Sequence, residues 1–287
     1  MAIRGFERLA GEIATLRTSG DPLRTLVVRL KDERPETLAH SQRVAKNSRM
    51  IAEGAGFDPE RVAAIENAAL LHDVGKILVP NEIFYSSGGL TGADLQEMQM
   101  HAAYGEALLR PFVTDQVILD VANCHHESYR GDGYLALNSE DIPVEARIVA
   151  IADVFDALTS DRSYKRGMAP EQALMEMIND DHQARTCRSQ FDPYYLRIFV
   201  TGILENSARA IAPDIREALT NFVTSDPMQD FLPEHLPDGL QIDRDGSRRI
   251  FATDPAGRDV VVFEATGAGD VWDGRGEERA ARRALSA

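Results

Sequence analysis

Five of the seven histidines in this chain fall between residues 40 and 126, and most of them stand beside a carboxylate or near the end of an apolar run. Imidazole and carboxylate groups together are typical ligands of iron, manganese or zinc, whereas calcium takes oxygen ligands. The sequence therefore indicates a joint metal site. The candidate ligands are Glu36, His40, His72, Asp73, His101, His125, His126 and Asp153.

Two of the candidate carboxylates stand in apolar sequence. Asp73 comes directly after His72 and the apolar residues 68–71, and Asp153 lies within the apolar stretch 148–155. Burying a carboxylate is unfavourable unless it is paired or bound to a metal. A simpler interpretation stays open for each position: His72 and Asp73 could hydrogen-bond each other, and Asp153 could pair with Arg147 or Arg162.

The other candidates also have ordinary explanations when they are taken singly. Glu36 and His40 are four residues apart, so they share a helix face and could form a solvated pair. His101 could be a core histidine. Adjacent residues on a helix diverge by about 100°, so we expect His125 and His126 to serve different metal ions, or one to be buried and the other exposed. A joint metal site accounts for all of these residues at once, and we favour it.

The elements that must position these residues are predicted to be mainly helical as far as about residue 225. Asp58 before Pro59 and Thr91 before Gly92 are typical helix starts. After residue 227 the segments 240–242, 249–252 and 260–263 have the composition of short strands. The predicted helices cover 4–18, 23–30, 36–53, 59–72 and 91–111, one runs from Thr114 through His126, and others begin at Pro143, Pro170, Pro193 and Pro213.

The composition limits the classes of partner. The formal net charge of −15 disfavours binding to nucleic acid or to an anionic membrane surface. The two cysteines cannot form a disulfide framework or a zinc knuckle. The chain has no signal-peptide pattern at its start and no apolar run of the roughly 18 residues that span a bilayer. We therefore expect a cytoplasmic protein with no nucleic-acid and no membrane partner.

The order of the motifs points to one family of enzymes. HDVGK at 72–76 is followed by His101, CHHE at 124–127, GDGY at 131–134, IADVFDALTSDRSYK at 151–165 and FDP at 191–193. Over residues 30–200 the chain resembles the HD-GYP family of HD-domain metal-dependent phosphohydrolases. The resemblance implies a mainly α, HD-type helical bundle that hydrolyses cyclic di-GMP, a bacterial second messenger, to pGpG and often on to GMP. The short β-strands would form a small C-terminal segment beyond this bundle.

The resemblance also implies roles for individual residues. Lys76 corresponds to a lysine near the scissile phosphate, Arg162 and Lys165 correspond to cations that contact phosphate or guanine, and Tyr134 lies in the loop beside the substrate. The expected cofactors are two or three divalent metal ions, iron first and manganese next, with Asp73 bridging two ions and a hydroxide between them. The family's metal ligands carry over to His40, His72, Asp73, His101, His125, His126 and Asp153, and Glu36 matches the extra ligand of members that hold a third metal.

The chain departs from the family pattern in the loop that gives the family its name. Gly133-Tyr134-Leu135 stands where the family has GYP, and Arg130 stands where Asp or Asn is usual. Because that loop lies near the substrate, hydrolysis of another cyclic dinucleotide or of a nucleotide is the first alternative function. A non-catalytic cyclic-di-GMP receptor is the second, although the complete ligand set favours an enzyme.

The chain is predicted to have three parts. Residues 1–30 form an N-terminal helical segment, residues 31–205 the HD-GYP catalytic domain, and residues 206–287 a C-terminal extension with a helix, short strands and a tail. A homodimer and a signalling-protein partner both stay open.

Overall fold

The structure is a computed structural model, and it describes residues 2–86, 90–161, 166–183, 190–206 and 211–224, together with 243–244, 249–253 and 259–264. It divides into two units, Met1–Pro227 and Met228–Ala287. Among the described residues, no helix is both long enough and apolar enough to span a bilayer. Of the predicted site residues, Arg162 and Lys165 lie outside the described residues.

The first unit is built from helices, which confirms the prediction of a mainly α fold. Proline stands in the first turn of α2, α3 and α4, and the side chains of Asp21 and Asp58 cap α2 and α4 by accepting hydrogen bonds from backbone N–H groups. The elements are α1 (Ala2–Arg17), α2 (Pro22–Glu33), α3 (Pro35–Gly54), α4 (Pro59–Leu71), a 3₁₀ helix (Val74–Leu78), α5 (Asn81–Phe84), α6 (Gly92–Gln99), α7 (His101–Leu109), α8 (Gln116–Cys124), α9 (Val144–Thr159), α10 (Pro170–Gln183), α11 (Pro193–Asn206) and α12 (Pro213–Thr224).

The helices that carry the candidate ligands pack directly on one another. Helix α3 packs against α4 and α9, α4 packs against α8, and α7 packs against both the 3₁₀ helix and α8. Apolar side chains such as Val74, Val121 and Val149 are fully buried between these elements. A second apolar cluster around Ile65 and Phe199 joins α3, α4 and α9 to α10, α11 and α12. The ligand-bearing helices are therefore fixed by packing on their apolar faces.

Two predicted helix boundaries are wrong, and both errors concern candidate ligands. Thr91 does cap a helix, but α6 ends at Gln99 and α7 begins at His101, whose Nδ1 donates to the carbonyl of Met98 over 2.7 Å. Helix α8 is capped by Asp115 rather than Thr114, and it ends at Cys124. His125 and His126 therefore lie beyond the last turn of α8.

The second unit contains a three-stranded antiparallel sheet with the order β1 (Asp243–Arg244), β2 (Arg249–Thr253) and β3 (Asp259–Glu264). Strand β2 pairs with both neighbours, and its register against β3 shifts between Ile250 and Phe251. Such a shift is the signature of a β-bulge, which bends the strand locally.

Candidate metal centre

Six elements converge on one place, and most of the candidate ligands stand where a helix begins or ends. His72 follows the last residue of α4, Asp73 precedes the 3₁₀ helix, and His101 is the first residue of α7. His125 and His126 follow α8, while His40 and Asp153 lie within α3 and α9. The packing of these elements brings seven of the eight predicted ligands together.

The Asp73 carboxylate lies at the centre of this cluster and is 1% exposed. Its Oδ1 atom lies 3.3 Å from His101 Nε2 and 3.8 Å from His125 Nε2. Its Oδ2 atom lies 3.3 Å from His72 Nε2 and 3.7 Å from His40 Nε2. Each oxygen of one carboxylate thus faces a different pair of histidines.

These distances divide the cluster into two adjacent sites of the kind that hold metal ions. In each site the ligand atoms all lie within 4.8 Å of one another. Asp153 reaches both sites, because its Oδ1 lies 3.0 Å from His40 Nε2 and its Oδ2 lies 3.9 Å from His126 Nδ1. The first site comprises His40, His72 and Asp73, and the second comprises His101, His125 and His126.

Three of the histidines are held in one tautomer by backbone carbonyls. A carbonyl can only accept a hydrogen bond, so the Nδ1 atom that contacts it carries the proton and Nε2 keeps a lone pair. Such bonds orient histidine ligands in metal sites. The bonds run from His72 Nδ1 to Ala69 O over 2.7 Å, from His101 Nδ1 to Met98 O over 2.7 Å, and from His125 Nδ1 to Val121 O over 3.0 Å.

The lone pairs of the cluster need a cation. His72 Nε2 and Asp73 Oδ1 are buried and have no hydrogen-bond partner among the described residues. His101 Nε2 lies 3.2 Å from His125 Nε2 and 3.1 Å from His126 Nε2. Unprotonated nitrogens at such distances repel each other unless a proton or a metal ion lies between them. The residues present therefore fit divalent metal ions.

The electrostatics of the cluster favour positive charge near Asp73 and Asp153. Burial lowers the pKa of His40, but hydrogen bonds to Asp153 and Asp156 outweigh this effect and raise the pKa to about 9. Burial alone would raise the pKa of Asp73, yet His72 and Lys76 hold it well below its usual range. Burial would also raise the pKa of Asp153, but the hydrogen bond to His40 and the nearby histidines lower it. Both carboxylates are therefore ionised at neutral pH, as metal ligands must be.

The net shift of the histidine pKa values is opposite in the second site, because burial prevails there. Burial lowers the pKa of His101 to about 3 and lowers the pKa of His125 well below its usual value. Burial also lowers the pKa of His126. These histidines stay neutral at physiological pH, and a neutral imidazole is the form that binds a metal.

Two of the predicted substrate-binding residues lie beside the cluster. Lys76 Nζ donates to Asp73 Oδ2 over 2.5 Å. The Tyr134 ring lies 4.6 Å from the His126 ring, centroid to centroid, and 6.4 Å from the His101 ring. Lys76 and Tyr134 are thus close enough to contact a molecule bound at the metal centre.

Glu36 is the predicted ligand that the structure does not bring into either site. It is exposed in the first turn of α3, one turn before His40. The simpler interpretation of Asp153 as the partner of Arg147 is wrong, because Arg147 pairs with Asp192 over 3.1 Å. The expected divergence of His125 and His126 is also wrong, since α8 ends before them and both rings turn towards His101.

Asp156 is not among the predicted site residues, yet it is 3% exposed and orients His40. Its Oδ2 accepts the Nδ1 proton of His40 over 2.7 Å, and Arg43 donates to both of its oxygens over 2.6 and 2.9 Å. A signal was present, because Asp153 and Asp156 are three residues apart and so share one face of α9. Asp156 leaves the Nε2 atom of His40 facing the first site.

Replacing Asp156 by Asn should weaken metal binding roughly 10- to 100-fold, which is the usual effect of removing a carboxylate behind a ligating histidine. The expected loss arises because the neutral Asn side chain would make a weaker hydrogen bond to His40 Nδ1 and would lack the negative charge of Asp156. Titration of metal-stripped protein against a competing chelator measures it. Glu53→Gln, a change on the same helix as His40 at a surface pair with Arg49, is the control and should leave the affinity unchanged.

Comparison with known proteins agrees with this geometry. The HD domain family model matches residues 25–186, more than half of the chain. The chain therefore belongs to the HD-domain family. Within that family it is a member of the HD-GYP group, as the order of its motifs predicted. Membership implies binding of divalent metal, which the two sites accommodate.

Several curated proteins are similar to this chain over the same region. The chain spans about a third of the length of these relatives. They are the 3'3'-cGAMP-specific phosphodiesterase 2 of Vibrio cholerae (37% identical, covering 60% of this chain and 34% of the relative), the cyclic di-GMP phosphodiesterase response regulator RpfG of Xanthomonas campestris (43%, 48% and 37%), and the cyclic di-GMP phosphodiesterase of Thermotoga maritima (38%, 50% and 39%).

Proposed function

We propose that this chain is a metal-dependent phosphodiesterase that hydrolyses cyclic di-GMP to pGpG, GMP or both. The observation that carries the proposal is the Asp73 carboxylate, whose two oxygens face the two histidine sites separately. Two closely spaced metal ions stabilise both the attacking and the leaving oxygen in phosphodiester hydrolysis, and a carboxylate between two cation sites would hold them close together. The relatives that act on cyclic dinucleotides support the same substrate class.

The chain's own residues divide the work of the proposed reaction. Bound divalent metal would polarise the phosphodiester. It would also lower the pKa of bound water, so that hydroxide is available at neutral pH. The backbone carbonyls behind His72, His101 and His125 keep the ligand nitrogens aimed inward. Lys76, beside Asp73, would offset negative charge on the phosphoryl oxygens. In the proposal Arg162 and Lys165 contact phosphate or guanine.

The identity and number of the metal ions belong to the proposal. The mixture of imidazole nitrogen and carboxylate oxygen favours iron, with manganese next. Two ions correspond to the two sites around Asp73. A third ion would need Glu36, which stands one turn before His40 on α3.

The alternative within the same class is a different cyclic dinucleotide, such as 3'3'-cGAMP. The two molecules share the sugar–phosphate ring and differ in one base, so a metal centre that contacts phosphate cannot distinguish them. Discrimination must come from groups that touch the bases. The relatives include enzymes named for each substrate, at 37% and 43% identity. We place cyclic di-GMP first because the motifs resemble those of its phosphodiesterases.

The test is turnover of cyclic di-GMP and of 3'3'-cGAMP by anaerobically purified protein whose metal content is measured on the same sample. Faster turnover of cyclic di-GMP with two or three metals per chain is the expected result. Chelation should abolish turnover, and iron or manganese should restore it. Faster turnover of 3'3'-cGAMP would show that the proposed substrate is wrong and that the proposed enzyme class is right. Tight nucleotide binding without hydrolysis in the presence of any metal would show that the chain is a receptor and not an enzyme.

We also propose that residues 31–205 form the catalytic part, between an N-terminal helical segment over residues 1–30 and a C-terminal extension over residues 206–287. All seven clustered ligands fall within the central range. Arg8 in α1 pairs with Glu97 in α6 over 2.7 Å, so the N-terminal segment contacts the part of the chain that leads to His101.

A further inference from the structure

The CHHE motif ends in a glutamate that the metal centre does not use. Glu127 follows the two histidines of the second site and is 6% exposed. Its carboxylate turns to the loop that follows: Oε1 accepts the backbone N–H of Leu135 over 2.6 Å, and Oε2 accepts the backbone N–H of Leu137 over 2.9 Å. A buried carboxylate that uses both oxygens in this way fixes the backbone of that loop.

The loop carries Tyr134 to the edge of the metal centre. The ring of Tyr134 is tilted 35° to the ring of His126, with 4.6 Å between centroids. Aromatic rings at this centroid separation attract each other. Tyr134 is still 42% exposed, so part of its ring is available to a ligand that approaches His126. A nucleobase is a flat group that stacks on such rings.

The backbone of the loop does not hold this conformation by local preference alone. Ala136 has a φ of +51°, in the left-handed region that residues with a side chain rarely adopt. Gly133 packs so closely that an added Cβ would lie 2.5 Å from Glu127 Cα and 2.7 Å from Ser128 N. The loop therefore depends on its contacts with Glu127 and Ser128.

Leu135 adds a feature that the family motif lacks. The residue at this position is proline in GYP, and proline has no backbone N–H to donate. In this chain the Leu135 N–H makes the shorter of the two bonds to Glu127. The loop is thus held by a hydrogen bond that a GYP loop cannot form.

We propose that Glu127 is a positioning residue for the substrate, which holds Tyr134 against His126 so that the ring can contact a nucleobase. The inference rests on the proposed function, because it assigns Glu127 to the binding of a cyclic dinucleotide. Glu127 acts through the loop, so it governs substrate affinity more than the chemical step and leaves the metal ions in place.

The experiment compares Glu127→Gln with wild type for cyclic di-GMP hydrolysis. Gln keeps one acceptor oxygen and presents an NH₂ group to the other N–H, so one charge-assisted bond is lost. KM should rise about tenfold, which corresponds to one such bond, while kcat and the metal content per chain stay within about twofold. Glu60→Gln makes the same change at an exposed carboxylate outside the loop, in the first turn of α4, and KM should not change.

Tyr134→Ala makes the test specific to the proposed route. If Glu127 works through Tyr134, Glu127→Gln should add less than about twofold to KM in the Tyr134→Ala background, because coupled residues are not additive. Effects that multiply would overturn the inference. A Glu127→Gln protein that loses metal and kcat together, with KM unchanged, would overturn it as well.

The outcomes separate this inference from the proposed function. If the wild-type protein hydrolyses no cyclic dinucleotide, both the proposed function and this inference are wrong. If the wild-type protein is active and the variants leave KM unchanged, only the inference about Glu127 is wrong. If Glu127→Gln does not fold, Glu127→Asp carries the same test, since it keeps the charge but cannot reach both N–H groups; its KM should rise and its metal content should not fall.

Discussion

In the proposed phosphodiesterase, Asp73→Asn should reduce the turnover of cyclic dinucleotide at least about a thousandfold and should deplete bound metal, because one change would remove a ligand from both sites of the proposed two-metal centre. The carboxylate faces His101 and His125 with one oxygen and His40 and His72 with the other. An amide has one acceptor oxygen and no charge, so it can serve neither pair as well. Metal analysis and kcat measured on the same preparation check the result.

The comparison for Asp73→Asn is Glu60→Gln, an exposed change in the first turn of α4, the helix that leads to His72. It should keep full activity and full metal content. His72→Ala should behave like Asp73→Asn. Wild-type activity and metal content in either site variant would show that Asp73 does not lie between two metal ions.

The convergence of the ligands could be predicted from the sequence, since residue types alone selected the histidines and carboxylates that the fold brings together. The arrangement around His125 and His126 could not. A continuous helix sends adjacent side chains about 100° apart, and only the end of α8 at Cys124 lets both rings turn to His101. Helix ends are set by capping and tertiary packing, which periodicity locates poorly.

The partners of the residues that support the ligands could not be predicted from the sequence. Asp156 and Glu127 lie inside quoted motifs, but their partners, His40 in the one case and the N–H groups of Leu135 and Leu137 in the other, become visible only in three dimensions. The same is true of the glycine in HDVGK. Gly75 lies in close contact with α7, which the motif does not indicate.

Gly75→Ala should lower the free energy of unfolding by about 3 kcal/mol and should weaken metal binding, because there is no room for a methyl group at this position. A Cβ at Gly75 would lie 2.0 Å from the carbonyl oxygen of His101 and 2.4 Å from the backbone N of Gly105. These are backbone atoms, so no side chain can rotate away. The 3₁₀ helix and α7 must separate, which moves His101 away from Asp73.

Gly11→Ala is the matched control, since it makes the same change in the interior of α1, where an added Cβ meets nothing within 4 Å. It should stabilise the protein by up to about 1 kcal/mol, the usual gain of alanine over glycine in a helix. Chemical denaturation of metal-free protein separates the effect on packing from the effect on metal. If Gly75→Ala unfolds like wild type and binds metal equally well, the contact between the 3₁₀ helix and α7 does not set the distance between Asp73 and His101.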